Sequence, residues 1–142
     1  MSDLVKKLRI PAEGRALILN APEGYLADTL GPLPEGVELS IAWNKETGSY
    51  DFVQVFVHSI ADLAEWAPKV TQAVKYDALL WVCYPKKSGK IKTDITRDVG
   101  WEPMTDLEYV LVSLVSVDTT WSAARVRPAA VSARGKQAKT KA

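Results

Sequence analysis

The chain has 142 residues, 47% of them hydrophobic and 25% charged, with a formal net charge of +1. That is ordinary composition for one globular domain. It excludes a transmembrane helix, since no apolar run approaches ~18 residues. It also excludes a disulfide framework and a multi-histidine metal centre, because Cys83 and His58 are the single residues of their types.

Charge is uneven along the chain. Residues 128–142 hold Arg134, Lys136, Lys139 and Lys141 and no acid, leaving residues 1–127 with a net charge of −3. Residues 1–127 read as a single domain. Residues 128–142 read as a disordered basic tail, too poor in large apolar side chains to offset its ordering entropy. Such a tail offers nucleic acid only weak contact. The start, Met1-Ser-Asp-Leu4, has no basic-then-apolar leader pattern, so the expected location is cytoplasmic.

In chain order, Ser2 can cap a short helix in which Leu4 and Leu8 lie one turn apart. Ala16–Leu19 is an apolar run of strand length. Pro22 then suits a helix start, and the helix presents Leu26 and Leu30 and stops at Gly31. Val37–Ile41 alternates as a second strand, and Tyr50–Val57 is apolar on both faces, as a central parallel strand is. Ser59 and Asp62 form a capping box for a helix whose Pro68 must kink or split it near Trp66. Ala78–Tyr84 is a fourth strand. Thr93 or Asp94 can cap a short helix carrying Ile95 and Val99 and ending at Gly100. Leu107–Val117 and Trp121–Arg127 form a closing hairpin across Asp118-Thr-Thr120. This alternation argues for a three-layer α/β sheet.

Lys7-Leu-Arg-Ile-Pro-Ala-Glu-Gly-Arg-Ala-Leu-Ile-Leu-Asn-Ala-Pro22, Leu80-Trp-Val-Cys-Tyr-Pro-Lys-Lys87, Thr93-Asp-Ile-Thr-Arg97 and Trp121 together carry a resemblance. They resemble a family of short bacterial proteins catalogued only as a domain of unknown function, over roughly residues 7–127. More broadly, the element order is similar to class I S-adenosylmethionine methyltransferases. That resemblance implies a Rossmann-like, mostly parallel sheet of order 2-1-3-4-6-5, closed by an antiparallel C-terminal hairpin. The short connection between the second and third strands leaves a competing reading, a hairpin across Asn44–Ser49.

The cofactor site of that fold needs a glycine-rich turn after the first strand and an acid after the second. Here the turn is Asn20-Ala-Pro-Glu-Gly24 and the second strand ends Ile41-Ala-Trp-Asn44. A dinucleotide fingerprint is absent too. The expected function is therefore a non-catalytic binding or regulatory module without a cofactor, leaning away from an enzyme. The alternative is a divergent small S-adenosylmethionine-dependent methyltransferase. In open α/β sheets ligands sit outside the carboxyl ends of the strands. The residues expected there are Asn20, His58, Tyr84, Lys86, Lys87, Asp94 and Arg97. Two lysines, an arginine and a helix start suit a small anionic ligand. The sheet edges could also pair in a homo-oligomer. The tryptophans read mainly as packing residues.

Overall fold

The computed structural model describes residues 2–87 and 89–131. Ser2 accepts a hydrogen bond from the Val5 amide at 3.2 Å and opens helix α1, Asp3–Leu8. Strand β1, Arg15–Leu19, follows. The expected helix after Pro22 is instead a single π-turn, Tyr25–Leu30, closed by Gly31 at φ 72°. Strands β2, Glu38–Ser40, and β3, Tyr50–Phe56, come next. Helix α2 spans Ile60–Ala73, capped by Ser59, whose hydroxyl accepts from the Asp62 amide at 3.1 Å. Pro68 does not split it; Pro68 and Ala64 lie on the exposed side, where water can reach the Ala64 carbonyl that lost its donor. Strand β4, Val74–Pro85, the one-turn helix α3, Glu102–Thr105, and strands β5, Tyr109–Ser116, and β6, Trp121–Pro128, complete the chain. Strand β6 thus includes Pro128; residues 132–142 of the expected tail lie outside the described residues.

The six strands form one sheet in the order β2-β1-β3-β4-β6-β5. Strands β1 to β4 run parallel, and β6 is antiparallel to both β4 and β5. This is the methyltransferase-like Rossmann arrangement with its antiparallel hairpin. Strands β2 and β3 flank β1 on opposite sides, so no hairpin joins them. Because β2 has three residues, the return to the start of β3 covers only roughly 10 Å. Residues 41–49 can reach about 30 Å when extended. That connection is pinned to the end of α2 by Gly48 and Ser49, whose amides donate to the Gln72 and Ala73 carbonyls at 2.7 and 3.0 Å.

Two cores sandwich the sheet. On one face Leu17, Val53, Val55, Leu80 and Val82 meet Leu63, Ala67 and Val70 of α2. On the other, Ile18, Phe52, Phe56, Trp81 and Cys83 meet Val5 and Leu8 of α1 and Tyr25 of the π-turn. Each fully buried large apolar side chain contributes about 1.5–3 kcal/mol. Both-face burial explains why β1, β3 and β4 read as continuous apolar runs. Among the described residues, no helix is long and apolar enough to cross a membrane.

Candidate functional site

The carboxyl ends of β1, β3 and β4 share one edge of the sheet with the β5–β6 turn, since Pro85 pairs with Trp121. Asn20 follows β1 in the left-handed region, φ 60°, a conformation asparagine tolerates better than most residues. Its amide donates to the Phe56 carbonyl at 3.4 Å, which holds it beside the end of β3. His58 stands just past that end, with 60% of its side chain exposed and Nδ1 3.7 Å from Asp62 Oδ2. The same Asp62 oxygen accepts the His58 amide at 2.9 Å. Asp62 thereby fixes the backbone at His58 and lies near its ring.

Asp94 belongs to this group, for a reason other than the one expected. No helix starts there. Thr93 Oγ1 accepts from the Ile95 amide at 3.1 Å and Thr96 Oγ1 from the Val99 amide at 3.1 Å. Such local bonds compete with helix formation. Asp94 Oδ1 instead accepts the Ile60 amide at 2.7 Å and caps α2 from across the chain. The helix dipole expected to draw an anion to Asp94 and Arg97 is therefore absent.

The cationic residues are not gathered. Lys86 Nζ donates to Ser116 Oγ at 2.6 Å, tying the end of β4 to the hairpin. Lys87 is exposed in a turn. Arg97 is 3.6 Å from Asp98 and, with Trp101, lines a cavity of about 540 Å³ against β5. Tyr84 is buried edge-on to Trp101, ring centroids 5.5 Å apart, and burial pushes its phenol up. Asn20, Asp62 and Asp94 thus each hold the backbone of residues 56–60, around His58. Tyr84, Lys86, Lys87 and Arg97 are left to other surroundings.

A second feature escaped the sequence reading. A cleft of about 380 Å³ opens beside Asn20 at the carboxyl ends of β1 and β2, lined by Ile41, Trp43, Lys45, Trp66 and Lys69 among others. Lys69 Nζ lies 4.4 Å over the Trp66 ring, a cation–π contact, and 3.7 Å from Glu65. Trp43 Nε1 donates to the Glu46 carbonyl at 2.7 Å, and Arg15 Nη1 donates to the Glu46 carboxylate at 2.8 Å. That hydrogen bond holds the Glu46 carboxyl below the usual carboxylate range. Lys45 sits in the left-handed region at φ 71°. Among the described residues lining the cleft there is no carboxylate. The signal was present: Trp66 and Lys69 are three apart on one helix, hence on one face.

Comparison with known structures agrees with the sheet topology. The chain is similar to an S-adenosylmethionine-dependent methyltransferase from Aquifex aeolicus, at 11% identity and a TM-score of 0.56, covering 87% of this chain and 86% of that one. It is also similar to an S-adenosylmethionine-dependent methyltransferase from Mesorhizobium loti, at 12% identity and a TM-score of 0.51, covering 86% and 96%. A protein of the NADB-Rossmann superfamily from Streptococcus agalactiae aligns at 9% identity and a TM-score of 0.50, covering 90% and 68%. No family model matches the chain, and no curated protein matches it. At these identities the likeness establishes the fold. It also corrects the functional expectation: a non-catalytic module, leaning away from an enzyme, was argued from missing glycines. Two of these neighbours, on the same fold, are S-adenosylmethionine-dependent methyltransferases, so the missing glycines do not by themselves exclude an enzyme.

Proposed function

We propose that this protein is a small, divergent S-adenosylmethionine-dependent methyltransferase. The observation that carries the reading is the group at the ends of β1 and β3, on a sheet of methyltransferase topology: Asn20, His58, Asp62 and Asp94. Their chemistry fits the cofactor. The Asp94 carboxylate suits a ribose hydroxyl or the sulfonium charge, while Asp62 serves His58. The Asn20 amide suits the cofactor's amino acid end. Pro22 removes one backbone donor from the turn after β1, so more of the binding falls to these side chains.

When bound, S-adenosylmethionine would supply an electrophilic methyl group and leave as the neutral thioether, with Asn20 and Asp94 the residues to hold it. His58 Nε2 accepts the proton that the acceptor loses. Asp62, facing Nδ1, stabilises the imidazolium that results. The resemblance to short bacterial proteins belongs to the same proposal, supported by the motifs quoted above.

Titration calorimetry with S-adenosylhomocysteine tests the cofactor site. Saturable binding that weakens about tenfold in Asn20→Ala is expected, from loss of a hydrogen bond to a charged group. Lack of saturation up to about 1 mM, an affinity of only −4.1 kcal/mol, would argue against it. His58→Gln should keep that binding and lose turnover.

A further inference from the structure

We propose that the cleft between Trp43 and Trp66 binds a planar aromatic anion, a flat ring bearing a carboxylate or phosphate group. Its role as the methyl acceptor rests on the methyltransferase reading; the binding itself does not. Four observations converge. The cleft, about 380 Å³, falls within the range of small-molecule sites. Two indole rings line it, Trp66 with Lys69 over one of its faces, and give the cleft aromatic surface for a flat ring. Two ammonium groups, Lys45 and Lys69, line it as well, and no carboxylate does among its described lining residues. Glu65, the acid nearest Lys69, is 3.7 Å away with 63% of its side chain exposed, so it offsets that charge only weakly.

The charge also has the wrong sign for a sugar. Where a ribose is held by its hydroxyls, an acid ends the second strand; a cation there accommodates an anionic group instead. Here the first charged residue after β2, which ends at Ser40, is Lys45, a cation five residues on. Asn20 lines the cleft and also belongs to the group at the ends of β1 and β3, so a ring in the cleft lies next to the proposed cofactor.

The test is tryptophan fluorescence of the full chain titrated with two anionic probes, adenosine 5′-monophosphate and anthranilate. Adenosine and anthranilamide are their neutral counterparts. At least one anion should quench saturably and bind about tenfold tighter than its neutral counterpart, as a charge-assisted hydrogen bond implies. Which anion wins distinguishes phosphate from carboxylate. Binding should weaken with salt. Lys45→Asn, which keeps the left-handed backbone, combined with Lys69→Gln should cost about tenfold or more at unchanged Tm. Equal binding of neutral and anionic probes, survival of affinity in the double variant, or no binding of either anion up to about 1 mM would overturn the proposal. Adding S-adenosylhomocysteine separates the two readings. Simultaneous binding supports both. Competition would assign the cleft to the cofactor and overturn this inference alone. Anion binding without S-adenosylhomocysteine binding would sink the methyltransferase reading and leave the cleft as a binding site.

Discussion

Tyr25→Phe is a change of one oxygen atom with a defined cost. The Tyr25 hydroxyl donates to Gln54 Oε1 at 3.0 Å and accepts from Gln54 Nε2 at 2.8 Å. Gln54 is wholly buried within the sheet, with Cys83 Sγ as its other neighbour at 3.1 Å. Removing the hydroxyl leaves the Gln54 carbonyl without that donor and out of water's reach, which costs about 1–3 kcal/mol. At a urea m-value of about 2 kcal/mol/M, the midpoint should fall by roughly 1 M. Gln54→Leu alone strands the phenol and should also destabilise. The double variant removes both partners, so it should cost less than the two single changes together, by about 1–2 kcal/mol. The assay is a double-mutant cycle by urea unfolding followed by circular dichroism. A Tyr25→Phe cost below about 0.5 kcal/mol, or strict additivity, would refute the reasoning.

Acid should destabilise the fold through particular carboxylates. Lys75 holds the Asp51 carboxyl, and Arg127 the Asp77 carboxyl, below the usual range. Lowered native values mean stability is present above the unfolded value of about 4 and is lost as pH falls through the native values. Urea midpoints should therefore drop below about pH 4, less steeply in Asp77→Asn, whose side chain suits the φ of 58° there. Cys83 is wholly buried, and burial pushes its thiol up to about 12. A disulfide reagent should react with it only at the rate of protein opening; fast reaction of the native protein would contradict the buried placement. Gly100→Ala places a Cβ 2.9 Å from Ile60 Cγ1 at φ +104°, and should cost about 2 kcal/mol or more in thermal unfolding. Gly48→Ala, at φ +58° with nothing within 4 Å, should cost less.

Much of the fold was legible because its signals are local. Ser2 and Ser59 cap their helices as their positions suggest. The apolar runs at β1, β3 and β4 mark parallel strands buried on both faces. What was not legible depends on contacts distant in sequence. Asp94 reads as the cap of its own helix, yet it serves Ile60, 34 residues away. The residues after Pro22 have helical spacing, but tight closure between Gly24 and Gly31 leaves room for one π-turn only. The anionic site was expected from lysines near the strand ends in sequence, whereas Lys86 turns to Ser116 in the hairpin. The cleft lysines have no common sequence signal because Lys45 lies in the β2–β3 connection and Lys69 on α2, brought together where Gly48 and Ser49 pin that connection to the end of α2.

The central claim concerns the edge formed by the ends of β1 and β3. Its most direct measurement is a titration of the ¹⁵N-labelled chain with S-adenosylhomocysteine, followed by amide NMR shifts. The account predicts saturable shifts concentrated at Asn20, Gly24, His58 and Asp62. An unchanged spectrum, or shifts confined to the cavity around Arg97 and Trp101, would contradict it.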